Sequence, residues 1–296
     1  MIIDQTNLDA AFLAFKMLFQ GALTASPTTY SRIVTEVSSS TKEEKYPWLG
    51  TTTRFREWVG ARRIQNLQTH GFTIVNKKFE NTIGIKRDEF EDDSYGIYSP
   101  IIQQMGQDSA NHPDILVYNL LKAGDSTPCY DGQNFFDTDH PGFDANGADI
   151  SVSNYQAGSG PAWVVMDVSK VVKPIILQKR RPYNFVARTK PDDPRVFDMD
   201  EYLYGVDARL NVGFGLWQFA FMSKAPLTAD NYKAARAAMG SLRGENGDSI
   251  GVMPNLLIVP PSLEGDANTL LKADYISATS NVWKGTAEML VSSRFA

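Results

Sequence analysis

The stretch that decides the fold is Asp92–Gly124, DDSYGIYSPIIQQMGQDSANHPDILVYNLLKAG, which reads as one long helix. Asp92, Asp93 and Ser94 precede the first periodic apolar residue, and side-chain oxygens there can accept from the free N–H groups of a first turn. Ile97, Ile101, Met105, Ile115, Leu116, Leu120 and Leu121 recur at helical spacing, with Gln103, Gln104, Gln107, Asp108 and Asn119 on other faces. Gly124 follows as a C-terminal stop. His112-Pro113-Asp114 is the weak point: proline removes an internal hydrogen bond and crowds the preceding turn, which predicts a kink or two abutting helices. At ~1.5 Å per residue the rod reaches roughly 45 Å, longer than an average globular helix needs.

Working outward, 296 residues suit one large or two modest domains, and 43% hydrophobic content supplies a real core. No membrane partner is expected, because no window approaches 18 consecutive apolar residues. The start, Met1-Ile-Ile-Asp-Gln-Thr6, lacks the order of a signal peptide, so the expected compartment is a cytoplasm. The single cysteine, Cys129, excludes an intrachain disulfide and a multi-cysteine zinc site. A net charge of −5 argues against a surface that neutralises many phosphates.

Thr6 or Asn7 caps a first amphipathic helix in which Leu8, Ala11, Phe12, Phe15 and Phe19 share a stripe, stopped by Gly21. Its own domain and a neighbouring subunit are equally good partners for that stripe, which makes Phe12 and Phe15 candidate intersubunit contacts. Residues 22–47 lose periodicity and read as an extended arm. Phe72–Val75 and Phe79–Ile85 carry alternating aromatic and β-branched residues around a turn at Val75–Phe79, predicting a long two-stranded ribbon. Before it stand Arg54, Arg56, Arg62 and Arg63 with Glu57 and Trp58; in an acidic chain an interface-forming loop explains them better than a nucleic-acid stripe. Asp88, Glu89, Glu91, Asp92 and Asp93 form an acidic cluster that suits the dipole of the following helix, or such arginines on another subunit.

Cys129-Tyr-Asp-Gly-Gln-Asn-Phe-Phe-Asp-Thr-Asp-His-Pro141 imitates a catalytic or metal constellation through Asp131, Asp137, Asp139 and His140. A twelve-residue calcium loop opened by Asp137 would end at Ala148, where the bidentate Glu belongs. Zinc needs more ligands than His70, His112 and His140, each in a different segment, provide. A Cys129–His140 dyad lacks an identifiable orienting group and oxyanion site. No metal, cofactor or catalytic residue is therefore expected. Residues 142–162 read as a Gly- and Asn-rich surface loop. Short β-prone runs follow at Trp163–Val168, Lys173–Arg181, Tyr202–Val206 and Leu216–Met222, with Gly213-Phe-Gly215 as a close backbone approach within a strand pair. Thr228 caps a helix with Tyr232, Ala235, Met239 and Leu242 inward; Leu256–Val259 is a buried strand, Ser262 opens a further short helix, and Trp283–Val291 ends the chain as a strand. The fold class is α+β.

Trp48-Leu-Gly50, Arg56-Glu-Trp58, Phe79-Glu80, Glu91-Asp-Asp93, Cys129-Tyr-Asp-Gly-Gln133, Phe135–Pro141, Tyr204–Arg209, Trp217-Gln218, Leu227-Thr228, Asn231-Tyr232 and Val259-Pro-Pro-Ser-Leu263, taken together and in order, resemble the major head subunit family of Mu-like phages and prophages. The resemblance covers nearly the whole chain. It implies the Hong Kong 97-type capsid fold: 1–47 an N-terminal arm, 48–85 an extended loop, 86–124 with 163–222 a peripheral domain with a long spine helix, 125–162 with 223–285 an axial domain, and 286–296 a strand returning to the peripheral domain. It also implies hexamers and pentamers of the chain itself in an icosahedral shell in the virion, assembled in the host cytoplasm. The implied partners are a separate scaffold protein, a portal, decoration proteins, and packaged double-stranded DNA touched weakly and nonspecifically. The acidic cluster and the arginine-rich loop then become candidate intersubunit contacts: Arg54, Arg56, Trp58, Arg62, Arg63, Glu89, Glu91, Asp92 and Asp93. An encapsulin-like compartment shares the implied fold, and a hydrolase built on Asp131, Asp137, Asp139 and His140 is the remaining alternative.

Overall fold

The computed structural model describes residues 4–47, 49, 72–92, 94–190, 192–276 and 278–296. The first half contains α1 (Gln5–Ala25), β1 (Val34–Ser38), β2 (Glu43–Lys45), β3 (Thr73–Val75), β4 (Lys77–Lys86), α2 (Arg87–Glu91), α3 (Ser99–Lys122), β5 (His140–Phe143) and β6 (Asp149–Val152). Then follow β7 (Tyr155–Gln156), β8 (Trp163–Met166), β9 (Ile175–Arg188), α4 (Pro194–Met199), β10 (Glu201–Phe214), β11 (Ala220–Ser223), α5 (Ala229–Gly240), β12 (Leu256–Val259), α6 (Glu264–Lys272), β13 (Tyr275–Ile276), β14 (Thr279–Ser280) and β15 (Glu288–Val291).

Two sheets organise these elements. A four-stranded sheet runs β1-β9-β10-β4, with β4 at one edge; a five-stranded sheet runs β15-β12-β8-β11-β7. In the second, the outer pairs β15/β12 and β7/β11 are parallel and the inner pairs antiparallel. The strands β8, β11 and β12 are buried throughout, as continuous apolar runs require when both faces are covered. In β9 the pattern changes along the strand: Ile175–Gln178 are all buried, Arg180–Pro182 are exposed, and from Tyr183 on covered positions, Phe185 the most buried, alternate with exposed ones, so the strand continues as a ribbon covered on one face.

The long helix exists, but it starts at Ser99 rather than at Asp92. Asp88, Glu89 and Glu91 lie in α2 and Asp92 directly after it, and a 3₁₀ turn, Ser94–Tyr98, separates α2 from α3. Pro100 falls in the first turn of α3, where an absent N–H costs nothing. Pro113 sits inside one continuous 24-residue helix, so two abutting helices are not what forms. The inward stripe also differs from the expected one. It is Ile102, Met105, Gly106, Ser109, Ala110, Pro113, Asp114, Val117, Tyr118 and Leu121, while Ile101 and Ile115 face out and Ile97, in the preceding 3₁₀ turn, is 74% exposed. Small residues form this seam because α1 packs directly on it: a Cβ at Gly106 would stand 2.5 Å from the Phe19 carbonyl oxygen and 2.9 Å from Ala22 Cβ.

Helix α1 is capped by Asp4, whose carboxylate accepts from the Asn7 N–H at 2.8 Å, and runs through Gly21 to Ala25. The chain after it is held by Asp114 of α3. That buried carboxylate accepts from the backbone N–H groups of Thr29 (3.1 Å) and Tyr30 (2.6 Å). The arm then joins the four-stranded sheet, β1 lying parallel to β9.

The expected two-stranded ribbon does not form among the described residues. Strands β3 and β4 are separated by Asn76 alone, and one residue cannot reverse the chain into a hairpin. Instead β3 pairs with β2, and β4 pairs along its whole length with β10. Asn76 is buried at this junction and its amide donates to Ser39 Oγ at 2.8 Å and to the Thr41 carbonyl at 3.1 Å. The Gly-rich 142–162 stretch is likewise not a plain loop: β5 and β6 make a hairpin, with His140 opposite Val152. Gly142 is required there because a Cβ would stand 2.8 Å from a Val152 methyl. Of the Gly213-Phe-Gly215 run, Gly215 makes the close backbone approach, since a Cβ there would stand 2.6 Å from the Lys173 carbonyl oxygen, whereas Gly213 makes room for a side chain, Ile74 Cδ1 at 2.4 Å.

Two cores result. The larger lies around the five-stranded sheet, α5, α6 and the C-terminal half of α3, and contains Trp163, Trp217, Tyr232 and Phe135. The smaller gathers Leu8, Phe15 and Phe19 of α1, Phe90 of α2, Ile102 and Met105 of α3, Phe185 of β9, and Tyr202 and Tyr204 of β10. Strands β8 and β11 belong to the five-stranded sheet with β12, not with the ribbon of β9 and β10. The last strand, β15, pairs with β12 in that same sheet, and only the terminal turn Ser293–Phe295 returns to α3, where Lys122 Nζ donates to the Ala296 carbonyl.

Candidate assembly surfaces and a buried Cys-Asp-His cluster

The stretch that imitated an active site folds as a tight turn under Trp217. Asp131 sits at its centre. One carboxylate oxygen accepts from the Cys129 thiol at 3.0 Å and from the Gln133 N–H at 3.1 Å, and the other lies 2.8 Å from His140 Nδ1. The His140 ring is fully buried and stacks on the Trp217 indole, centroids 4.0 Å apart. Burial opposes ionisation of Asp131, but the hydrogen bonds from His140 and Cys129 outweigh it and hold the carboxyl below its usual range. Burial, reinforced by the Asp131 charge, pushes the Cys129 thiol far above its ordinary value.

This arrangement cannot activate a nucleophile. The thiol donates to a carboxylate instead of facing the imidazole, so no base is available to it. Cys129, Asp131 and His140 offer donor atoms within 4.8 Å of one another, the ligand distance range of a metal site. Cys129 Sγ and His140 Nδ1 are both turned onto the Asp131 carboxylate, so a cation among these three would have to displace those contacts, while His140 Nε2 is buried without a partner among the described residues. Asp137 serves the turn, accepting from the N–H groups of Thr138 (2.7 Å) and Asn134 (3.2 Å), and Asp139 is exposed. The structure brings together three of the suspected residues and gives them a structural task.

The candidate contact residues divide differently. Phe15 is only 2% exposed and packs edge-on against Tyr204, 5.1 Å between centroids, within its own chain. Phe12 stacks on Phe185 at 5.8 Å. The apolar stripe of α1 is therefore covered by its own subunit, and the face left outward carries Leu13 and Met17, the latter 68% exposed. Glu89 is half-buried, Glu91 pairs with Arg87 at 3.0 Å, and Asp92 is exposed. Arg54, Arg56, Trp58, Arg62, Arg63 and Asp93 lie outside the described residues.

Sequence reasoning passed over an exposed apolar pair on α4, between β9 and β10. Phe197 is 83% exposed there, and Met199 is exposed beside it. A signal was present in Asp193-Pro194: an N-cap residue followed by proline at the first helical position. Asp193 caps the helix by accepting from the Arg195 N–H at 2.9 Å, and its carboxylate also accepts from Arg188 Nε and Nη2 at 2.9 Å each.

With the geometry in place, relatives give it meaning. The profile of the family described as Mu-like prophage major head subunit gpT matches residues 8–295. The major capsid protein of Escherichia phage Mu is 42% identical over 301 residues, spanning 98% of this chain and 99% of that protein. The Mu-like prophage FluMu major head subunit of Haemophilus influenzae is 41% identical, spanning 90% of this chain and 88% of that protein. Among solved structures, the procapsid of bacteriophage JBD30 matches with a TM-score of 0.88 at 40% identity, covering 99% of this chain and 100% of that one. The JBD30 capsid matches with a TM-score of 0.80 at 30% identity, covering 100% of both chains. The α+β arrangement of two sheets on a long helix is thus that of a phage capsid subunit, and the chain belongs to the Mu-like prophage major head subunit gpT family.

Proposed function

We infer that this chain is the shell-forming subunit of a phage head, joining copies of itself into pentamers and hexamers that close an icosahedral shell around the DNA genome. The single observation that carries this reading is the end-to-end match, over 99% of the chain, to a procapsid subunit. The role is structural, and its place is the virion capsid. Rings of identical subunits need heterologous interfaces, in which one surface meets a different surface of the next copy. Overlapping arms and loops multiply weak contacts around such a ring. The net charge of −5 suits an inner wall that must release packed DNA, because a basic wall would hold it.

Finer assignments are proposals. The α3 helix with the four-stranded sheet serves as the peripheral domain and spine, and the five-stranded sheet with α5 and α6 as the axial domain. A scaffold protein and a portal act as assembly partners. The JBD30 capsid, described as decorated with minor capsid protein trimers, matches with a TM-score of 0.79 at 30% identity, which supports a decoration partner here as well. Glu89, Glu91, Asp92 and Asp93 act between subunits with Arg54, Arg56, Arg62 and Arg63.

The test is electron microscopy of the full chain produced with its scaffold. Closed shells, or rings of five and six, are expected; a chain that stays monomeric with scaffold present would overturn the reading. Arg62→Glu combined with Arg63→Glu should reduce shell yield while leaving the melting temperature of the unassembled subunit unchanged, and normal shells from that variant would remove the arginines from the contact.

A further inference from the structure

The ribbon of β4, β9 and β10 is electrically lopsided. At one end α2 and α4 come together, the Arg87 N–H donating to the Asp200 carbonyl at 2.9 Å, and residues 86–92 with 188–201 carry nine acidic side chains against five basic ones. At the other end, residues 77–81, 179–181 and 207–209 carry six basic side chains against two acidic ones. Strands β4 and β10 pair without a break from Lys77 opposite Leu210 to Lys86 opposite Glu201. At ~3.3 Å per residue, the strand from Lys78 to Lys86 holds the two ends roughly 27 Å apart. Neither end can neutralise the other within one chain.

The basic end contains an arrangement that folding alone does not explain. Arg209 of β10 stands opposite Lys78 of β4 on one side and Arg181 of β9 on the other, so three cations cross three strands in one row. Like charges directly opposite one another are destabilising. Arg181 is answered by Asp207, and Lys179 by Glu36 at 2.8 Å. Glu80, two residues along from Lys78, accepts from Thr82 Oγ1 at 2.8 Å. Arg209 and Lys78 form no ion pair among the described residues, and Arg209 Nε is buried with no hydrogen-bond partner. An unanswered guanidinium donor beside an unanswered ammonium calls for an anion.

The α4 end offers carboxylates in the complementary state. Asp193 is occupied by Arg188 and the helix cap, but Asp192, Asp198 and Asp200 are exposed and form no ion pair among the described residues. Lys190 and Arg195 are exposed there too, and the segment stays acidic with both counted. Its base is fixed, because Val196 is buried in the smaller core, and a fixed base lowers the entropy lost on docking.

We propose that the α4 end of one copy docks on the basic end of the ribbon of a second copy, the carboxylates of Asp198 and Asp200 meeting Arg209 and Lys78. The inference rests on the shell-forming reading, which supplies the second copy. The two surfaces lie at opposite ends of one ribbon, so the contact is head to tail and heterologous, and it can repeat from copy to copy around a closed ring.

The test is a zero-length carbodiimide cross-link, which joins a lysine amine to a carboxylate only where the two already touch. Shells are formed with the phage's own head proteins from an equal mixture of ordinary and isotope-labelled chain, then coupled, digested and read by mass spectrometry. The expected product is Lys78 joined to a carboxylate within residues 192–201, with mixed-isotope pairs marking a link between copies. Intact shells in which Lys78 is joined only to other segments, only to another head protein, or to nothing would overturn the contact while leaving the shell-forming reading standing. An unaltered chain that forms no shells with those proteins would overturn both. A charge reversal reads the same contact a second way. Arg209→Glu removes the repulsion from Lys78 and Arg181, so the unassembled subunit keeps or raises its melting temperature while shell yield falls about tenfold. Asp198→Arg with Asp200→Arg in that chain should restore most of the yield. Unchanged yield from Arg209→Glu, or no restoration, overturns the contact. Protection of Lys78 from amine acylation is expected in empty shells as well as filled ones; protection only in DNA-filled heads would assign the basic end to packaged DNA and overturn it too.

Discussion

The two cores are built on opposite plans. The larger one is built on covered strands: β8, β11 and β12 are buried along their whole length, α5 and α6 pack on them, and Asp131 inside takes up both Cys129 and His140. The smaller one is assembled from α1, α2, α3 and the β9–β10 ribbon, helices laid on strands that are covered on one face only. Exposed apolar side chains occur around both, Leu13, Met17 and Phe197 beside the smaller and Val171, Met253 and Val282 beside the larger. The difference teaches that one core is secured by strands buried on both faces, while the other depends on how closely its helices approach one another.

Four perturbations sharpen this contrast. Trp163→Ala removes a fully buried indole from the larger core, and its Nε1–H bond to the Ala225 carbonyl with it; a loss of ~3–5 kcal/mol in denaturant unfolding of the subunit is expected, with no shells formed. Gly106→Val should act on the other core alone. Overpacking against the Phe19 carbonyl costs ~1–3 kcal/mol, and limited proteolysis should release α1 while the near-ultraviolet signal of Trp163 and Trp217 persists. If that signal collapses too, the cores are one cooperative unit.

Asp114→Ala lies at the connection, leaving the Thr29 and Tyr30 N–H groups without an acceptor, for a loss of about 1–3 kcal/mol read as a lowered melting temperature. The smallest effect is on pH dependence. Burial holds the His112 imidazole below its ordinary value of 6.5. The unfolded chain then binds the proton more readily than the folded one, so this contribution is complete above about pH 6.5 and is lost as pH falls beneath it. His112→Asn should flatten the fall in melting temperature between pH 7 and 5; an unchanged slope would place the titrating group elsewhere.

How much of this was legible in the residues depended on what formed each contact. The α1 stripe was read correctly at Leu8, Ala11, Phe15 and Phe19, since large apolar groups at helical spacing announce themselves, but the stripe alone could not say that its partner was α3 of the same chain. On α3 the same logic placed Met105 and Leu121 inward correctly but also chose Ile97, Ile101 and Ile115, which are exposed. Gly106 is small because the backbone of α1 lies against it, whereas Ile101 and Ile115 are large and point away. The β5–β6 hairpin was missed for a related reason: Gly142 and Gly147 looked like loop composition, yet the first makes room for Val152 and the second adopts a φ of 78°. The turn at Cys129–Pro141 was rejected as a metal or catalytic site on ligand spacing. Its true organisation, a carboxylate shared by a thiol and an imidazole beneath Trp217, needed the fold to bring Trp217 across. Phe197 carried only a capping signal, and exposure is not written in a capping box.

Strand β4 forms an outer edge of the four-stranded sheet, and an open edge can recruit another strand without limit. For a protein made at high copy number that must stop at a closed surface, such recruitment would yield fibres in place of heads. The edge carries Lys77, Lys78, Glu80 and Lys86 along its length, nearly all exposed side chains. Those charges act as a guard: they keep self-recognition confined to side-chain surfaces whose geometry curves and closes, and they deny it to the backbone, whose geometry does not.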